Sequence, residues 1–197
     1  MIGRRRLDNL IDCLATVLDD DIPGDVIETG VWRGGATILM RAALAAWEDP
    51  DRSVWVADSF NGLPPPDAAA FPADEGVDLS GIGALAVSRA EVDSNFERYG
   101  LLDDRVRFLE GWFADTLSSA PISRLALIRL DGDLYQSTWE ALDALYPKLS
   151  PGGILIVDDY GAFEPCRRAV HAYRDQHHIH EEIITVDWTG IWWRRDR

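Results

Sequence analysis

Two apolar runs joined by a helical pattern constrain the fold more than any other feature of this sequence. "SRLALIRLDGD" (residues 123–133) is apolar on both faces, and "GILIVDD" (153–159) is a second run of the same kind. Strands buried on both faces are typical of the centre of a parallel sheet. The segment between them, "STWEALDALYPKL", has helical spacing and predicts one helical crossover with Ser137 as its N-cap. The two strands should therefore be neighbours.

The same alternation of strand and helix runs along the rest of the chain. A helical stripe from Leu7 to Leu18 precedes the strand "GDVIETG", a helix from Gly35 to Trp47, and the strands "RSVWVADSF" and "RVRFLEG". After a helix in "EPCRRAVHAYRDQHH", the segments "EEIITV", "DWTG" and "IWWRR" predict an antiparallel hairpin. We expect an α/β fold with a doubly wound, mostly parallel sheet and one antiparallel edge strand.

Length, charge and cysteine content limit the classes of protein. A chain of 197 residues is most simply one domain, spanning residues 1–197. The net charge of −15 argues against a nucleic-acid partner, because phosphates would be repelled. No apolar stretch is long enough to cross a membrane, no signal peptide opens the chain, and two cysteines suit a reducing compartment. These features predict a cytoplasmic protein without a membrane partner.

The stretch from Ser59 to Gly81 is too long for an ordinary connection between a strand and a helix. It holds four prolines and many small residues. Loops of this length are commonly lids or binding loops, and a disordered surface insertion is an equally good interpretation.

Acidic residues end the predicted strands, at the edge of the sheet where ligands bind in such folds. Asp also ends strands simply because it starts turns, and this would account for one or two of these positions. Five strands with acidic ends instead indicate a site for a ligand that is cationic or rich in hydroxyl groups. These residues are Glu28, Asp58, Glu110, Asp131, Asp158 and Asp159.

The turn "ETGVWRGG" after the first strand selects among nucleotide-like cofactors. A dinucleotide fingerprint needs a glycine where this chain has Trp32, which disfavours a nicotinamide dehydrogenase. S-adenosylmethionine carries no phosphate, and its α-ammonium would suit Glu28 while its ribose diol would suit Asp58. Gly111 and Trp112 offer a wall for adenine, although Trp112 could equally belong to the core. The predicted cofactor-binding residues are Glu28, Thr29, Gly30, Arg33, Gly34, Asp58, Ser59, Gly111 and Trp112.

Asp131, Asp158 and Asp159 should converge at adjacent strand ends without any Cys or His nearby. An all-oxygen site of this kind selects a hard cation, with magnesium first and calcium or manganese as substitutes. The alternative is that the pair Asp158–Asp159 begins a turn and Asp131 caps a loop. Asp133 is a competing ligand in the same "DGD" motif.

Histidines and tryptophans invite further site hypotheses that we consider weaker. The cluster His177, His178 and His180 follows a helix and is interpreted as a solvated helix end. We expect Trp139, Trp192 and Trp193 to pack in the core. Trp188 is a candidate for contact with a substrate, but the expected role is packing.

The motifs "GDVIETGVWRGGA", "VWVADSFNGLPPPD", "LDGDLYQSTWEALDALYPKLSPGG" and "VDDYG" resemble the macrocin O-methyltransferase family, and the similarity extends over essentially the whole chain. These enzymes use a metal ion and S-adenosylmethionine to methylate sugar hydroxyls of macrolide and aminocoumarin antibiotics. The resemblance implies a Rossmann-like methyltransferase fold, with magnesium held by Asp131, Asp158 and Asp159. It also implies that Asp131 is the general base and that Asp133 organises the loop. A small-molecule glycoside is the implied acceptor, and a homo-oligomer is an expected assembly.

The chain departs from this family at its N-terminus. Relatives carry an extension before the "MIGRRRLDNL" helix that contributes to closing the active site. Closure over substrate is therefore the least supported expectation, and a second hypothesis is a cofactor-binding protein of the same fold with little turnover.

Overall fold

A computed structural model describes residues 2–196 of the chain. The helices are α1 (Arg4–Asp19), α2 (Gly35–Ala46), α3 (Arg89–Arg98), α4 (Phe113–Thr116), α5 (Tyr135–Leu145) and α6 (Glu164–Gln176). The strands are β1 (Asp25–Thr29), β2 (Val54–Asp58), β3 (Val106–Glu110), β4 (Leu125–Leu130), β5 (Leu149–Val157), β6 (Ile184–Thr185) and β7 (Ile191–Arg194).

The strands form one seven-stranded sheet in the order β3-β2-β1-β4-β5-β7-β6. Strands β1 to β5 are parallel, whereas β7 pairs antiparallel with both β5 and β6. The predicted doubly wound sheet is therefore confirmed, and the antiparallel part at its edge consists of this closing hairpin. As predicted, β4 and β5 are neighbours joined through α5.

The register of the central strands aligns the positions from which the site is built. Glu28 in β1 lies opposite Arg129 in β4, and Arg129 lies opposite Ile156 in β5. Leu130 and Val157 also face each other, so Asp131 and Asp158 follow at the same level of the sheet. The carboxyl ends of three strands thus meet along one edge.

Hydrophobic cores cover both faces of the sheet, because side chains alternate along each strand. On one face, α1 and α2 pack on strand residues that include Val26, Leu127 and Ile154. On the other face, α5 and α6 pack on their immediate neighbours, which include Ile128 and Leu155. This alternation directs Arg129, two residues after Leu127, toward the face that α1 covers.

The start of α5 differs from the prediction. The helix begins at Tyr135, its N-cap is Leu134, and Ser137 lies buried inside it, so the proposed Ser137 cap is wrong. Asp74, from the proline-rich loop, takes that role: its carboxylate accepts hydrogen bonds from the backbone N–H groups of Tyr135 (2.7 Å) and Gln136 (3.0 Å). The first N–H groups of a helix need such acceptors, and here the acceptor comes from a distant segment.

Two helices between the loop and β4 have no counterpart among the predicted elements. Helix α3 buries Val92 and Phe96 and is otherwise polar, so its apolar stripe is thin. Its N-cap is Ser88, whose side chain accepts from the N–H of Glu91. Helix α4 has four residues, which is too short for a periodic pattern.

The histidines after α6 and three of the tryptophans lie where the sequence hypotheses placed them. His177, His178 and His180 are exposed beyond the end of α6, as expected of a solvated helix end. Trp193 is fully buried, and Trp139 and Trp192 pack against the cores while partly buried.

Within residues 2–196, no helix has the length and apolar character needed to cross a membrane.

We expect Asp74→Ala to lower the free energy of unfolding by about 1–2 kcal/mol, because two N–H groups at the start of α5 lose their acceptor. Urea denaturation followed by far-ultraviolet circular dichroism measures this change. Glu75→Ala is the matched control, since Glu75 is the exposed neighbour in the same loop. Equal stability of the two variants would show that Asp74 does not hold the loop to α5.

Candidate functional site

A cavity of about 930 Å³ opens at the carboxyl ends of the parallel strands. The turn after β1 and the ends of β2, β4 and β5 contribute to its wall, as does the segment that follows β3. Of the predicted site residues, Thr29 and Gly34 lie outside the lining, as does the strand-end acid Glu110. The predicted residues that do line it are Glu28, Gly30, Arg33, Asp58, Ser59, Gly111, Trp112, Asp131, Asp158 and Asp159.

The turn after β1 depends on a glycine and on an acid from β2. Gly30 has a φ of 79°, and a Cβ there would lie 1.7 Å from the carbonyl oxygen of Asp131. Asp58 Oδ2 accepts hydrogen bonds from the backbone N–H groups of Val31 (2.7 Å) and Trp32 (3.2 Å). Asp58 therefore orders the turn that is predicted to bind the cofactor. Asp58 also lines the cavity, and its contact with the ribose hydroxyls stays a prediction.

Three carboxylates converge at the floor of the cavity. Asp131, Asp158 and Asp159 each offer an oxygen atom, and these oxygens lie within 4.8 Å of one another. Asp133 lines the same cavity but is not a member of this group. Its backbone N–H donates to Asp159 Oδ2 (3.2 Å), so the "DGD" turn also orients one of the three carboxylates.

Arg129 is the buried cation beneath these carboxylates, and sequence reasoning missed it. Its guanidinium, with a side chain only 2% exposed, pairs with Glu28, Asp131 and Asp158. The contact with Asp131 Oδ2 measures 2.7 Å. The available signal was an arginine inside "LALIRL", a strand that is otherwise wholly apolar. Such a residue is buried only if carboxylates surround it.

A second guanidinium reaches the same cluster from α1. Arg6 donates to Asp158 Oδ2 through Nη1 and to Asp187 Oδ2 through Nε, the latter at 3.1 Å. The two oxygens of Asp158 are thus paired with Arg6 and with Arg129. The protein itself supplies part of the positive charge that stabilises the adjacent carboxylates.

Negative charge still exceeds positive charge in this part of the cavity. Burial, reinforced by Asp131 and its acidic neighbours, raises the pKa of Asp159 well above its ordinary value. Burial also raises the pKa of Asp158, although Arg129 opposes the shift. The pKa of Asp133 rises to about 7, through burial and then through Asp131 and Asp158. The carboxylates repel one another, and a bound cation would relieve that repulsion.

The donor set fits a hard divalent cation. All three converging groups offer carboxylate oxygens, which magnesium, manganese and calcium prefer. No Cys or His joins this group within residues 2–196. The three predicted ligands therefore come together as a metal site requires, while Asp133 stands beside them.

Glu28 combines a structural and a potential binding role. Its Oε1 pairs with Arg129, whereas its Oε2 is buried and accepts no hydrogen bond from residues 2–196. Burial raises the pKa of Glu28 to about 8, even though Arg129 opposes the shift. A ligand ammonium group would favour the ionised form, so the predicted contact with a cofactor ammonium remains compatible with this geometry.

Two tryptophans stand exposed around the cavity. Trp112 is 40% exposed and lines the wall, so its alternative as a core residue is wrong. Trp188 is 76% exposed and also lines the cavity, which contradicts the expected packing role. Its backbone is held tightly, because a Cβ on Gly161 would lie 2.1 Å from the Trp188 carbonyl oxygen. The next residue, Thr189, donates to the carbonyl of Asp158 (2.7 Å).

Comparisons with known proteins agree with this architecture. The model of the macrocin O-methyltransferase (TylF) family matches residues 1–195. A protein of Streptomyces olivaceus, 8-demethyl-8-(2,3-dimethoxy-alpha-L-rhamnosyl)-tetracenomycin-C 4'-O-methyltransferase, is 57% identical over 98% of this chain and 74% of its own length. Demethyldecarbamoylnovobiocin O-methyltransferase of Streptomyces niveus is 52% identical over 100% of this chain and 76% of its own.

Solved structures give the same result. The O-methyltransferase NovP superposes with a TM-score of 0.97 at 52% identity, covering 100% of this chain and 81% of NovP. Calicheamicin methyltransferase CalS11, at 23% identity and a TM-score of 0.75 over 98% of this chain and 80% of its own, shares the fold. The resemblance carried by the sequence motifs is confirmed: this chain belongs to the macrocin O-methyltransferase family and is an O-methyltransferase.

Proposed function

We propose that this enzyme transfers the methyl group of S-adenosylmethionine to a sugar hydroxyl of a glycosylated natural product, with magnesium as its metal. The observation that carries the proposal is the convergence of three carboxylates within 4.8 Å at the floor of a cavity large enough for cofactor and acceptor. Relatives that are more than half identical are named for methylation of a rhamnosyl-tetracenomycin and of a novobiocin precursor, which supports a glycoside acceptor.

The cofactor would occupy the side of the cavity formed by β1 and β2. Asp58 has both of its oxygens engaged by backbone N–H groups, which fixes the carboxylate, and it keeps lone pairs for ribose hydroxyls. Trp112 offers a flat exposed face for adenine. Glu28 presents its unpartnered oxygen to the α-ammonium group. Acidic residues on this wall suit a cofactor that carries ammonium and sulfonium charges and no phosphate.

Asp131, Asp158 and Asp159 would hold the metal ion at the other side of the cavity. A magnesium ion bound there would stabilise the developing alkoxide of the acceptor and fix its direction of attack. Arg129 keeps Asp131 and Asp158 in place from below, since it donates to both carboxylates.

Asp131 is the proposed general base. As the bond between the acceptor oxygen and the methyl carbon forms and the carbon–sulfur bond breaks, the hydroxyl proton passes to a carboxylate. The Asp131 side chain is partly exposed to the cavity while Arg129 holds its Oδ2. Asp133 is a second candidate, because it lines the cavity without belonging to the group of converging oxygens.

Metal dependence separates turnover from mere cofactor binding. We expect EDTA to abolish methyl transfer and added magnesium to restore it, with S-adenosylhomocysteine production as the measurement. Asp159→Asn should raise the magnesium concentration needed for half-maximal rate by roughly tenfold or more. Glu110→Gln is the control, an exposed strand-end acid outside the cavity. Full activity in excess chelator would refute the metal requirement. Cofactor binding without S-adenosylhomocysteine production would favour a cofactor-binding protein with little turnover.

The two candidate bases give different kinetics. We expect Asp131→Asn to lower kcat by about 10²–10⁴-fold at saturating magnesium while S-adenosylhomocysteine still binds, because an amide oxygen cannot take the proton at neutral pH. Asp133→Asn should then keep most of its rate. The reverse pattern, measured by single-turnover methylation with calorimetric cofactor binding, would transfer the role of base to Asp133.

The acceptor side can be tested through Trp188. If its exposed ring stacks on the acceptor, Trp188→Ala should raise the acceptor KM about fivefold, equivalent to about 1 kcal/mol, and leave cofactor affinity unchanged. Steady-state rates with 8-demethyl-8-(2,3-dimethoxy-alpha-L-rhamnosyl)-tetracenomycin C would measure it. Trp47→Ala serves as control, since Trp47 is exposed but outside the cavity lining. An unchanged acceptor KM would exclude Trp188 from the acceptor site.

A further inference from the structure

Arg6 connects the first turn of α1 to the predicted metal site. Its side chain is 12% exposed and donates to Asp158 on one side and to Asp187 on the other. The stem passes beneath Gly190, where a Cβ would lie 3.0 Å from Arg6 Cδ. Asp187 receives the guanidinium on Oδ2 while its Oδ1 accepts from the N–H groups of Thr189 and Gly190. The guanidinium thus lies between a predicted metal ligand and a loop that Asp187 holds by backbone hydrogen bonds.

Each oxygen of Asp158 is paired with a positively charged arginine in this arrangement. Arg129 occupies Oδ1 and Arg6 occupies Oδ2. A divalent cation that shares either oxygen would meet a guanidinium within a few ångströms, and the burial of Asp158 reduces the screening of that repulsion by solvent. Cation binding therefore favours the departure of one of the two arginines.

Arg6 is the one that can leave. Arg129 is almost completely buried and pairs with three carboxylates, so its withdrawal would leave several buried charges without a partner. Arg6 comes from a surface helix and already has a second carboxylate, Asp187, on the side away from the cluster. Its guanidinium can keep one ion pair while it gives up the other.

We propose that Arg6 is a built-in counter-cation that occupies Asp158 when no metal is bound and withdraws to Asp187 when a divalent cation binds. This inference rests on the proposed magnesium site and deepens it. Arg6 is a positioning residue: it stabilises the metal-free protein by neutralising Asp158, and it lowers metal affinity because its ion pair with Asp158 must be broken first.

Direct metal binding tests the proposal without turnover. We expect Arg6→Met, which keeps the stem and removes the charge, to bind Mn²⁺ with a Kd about tenfold lower than the unmodified enzyme, as measured by electron paramagnetic resonance. Its Tm without metal should fall, and the rise in Tm on adding magnesium should be larger than in the unmodified enzyme. Arg4→Met is the control, with the same change of charge at an exposed position on the same helix; it should leave both quantities unchanged.

Asp187→Asn gives a prediction of opposite sign. This variant keeps an Oδ1 for the loop but weakens the alternative partner of Arg6, so Mn²⁺ should bind more weakly. In the Arg6→Met background the same substitution should have little effect on the Kd for Mn²⁺, because there is no guanidinium at position 6 to pair with Asp187. This variant also keeps the proposal testable if Arg6→Met does not fold.

The outcomes distinguish the inference from the proposed function. If the unmodified enzyme binds neither Mn²⁺ nor Mg²⁺, the metal site and the role of Arg6 are refuted together. If it binds metal and folded Arg6→Met binds it equally well or more weakly, the role of Arg6 alone is refuted. An equal effect of Asp187→Asn with and without Arg6 would also overturn it.

Discussion

The buried guanidinium of Arg129 is the interaction on which the site depends. It lies in the central strand β4 and pairs with a carboxylate at the end of β1, one beyond the end of β4 and one beyond the end of β5. Isolated charges are costly to bury, and removal of one partner from a buried cluster typically costs about 3–5 kcal/mol. The sheet therefore has to place Glu28, Asp131 and Asp158 around Arg129, and the same placement brings together the carboxylates of the proposed metal site.

The electrostatic balance of the cavity explains which ligands it can accept. Arg129 and Arg6 neutralise only part of the acidic charge, and burial raises the pKa values of Asp158 and Asp159 in the absence of another cation. A metal ion and a sulfonium cofactor each bring positive charge to a region that lacks it. A phosphate-bearing cofactor would add to the repulsion. The acidic strand ends thus predict a preference for cationic ligands.

The parts of the structure that sequence reasoning could predict are those governed by local pattern. Continuous apolar runs mark β4 and β5, because both faces of these strands are buried, and a period of 3.6 marks α5, which buries one apolar face. Acidic residues directly after these strands were predictable as a cluster, since parallel strands end at one edge. What local pattern could not show are contacts between distant segments: Asp74 caps a helix that begins 61 residues later, and Arg6 lies 152 residues from Asp158.

Trp188 illustrates why the type of a residue and its place in a loop can give the wrong expectation about its burial. An aromatic residue in a hairpin loop is expected to pack, because burial of its ring removes a large apolar area from water. Here the neighbouring positions hold the loop instead: Thr189 bonds to the strand that ends in Asp158, and Gly161 lets the backbone approach closely. These contacts hold the loop without the indole, so the ring can face the cavity.

Three long-range connections hold distant segments near the acidic edge of the sheet. Arg6 brings α1 to Asp158, Asp74 brings the proline-rich loop to the start of α5 beside the "DGD" turn, and Asp187 brings the closing hairpin to Arg6. Each connection is an ion pair or a charged hydrogen bond, and the two that involve Arg6 reach the carboxylate cluster directly. Any ligand that neutralises Asp158 changes the balance between Arg6 and its two carboxylates. Under the proposed role of Arg6, α1 and the closing hairpin are coupled to metal binding through electrostatics, and no large rearrangement of the sheet is required.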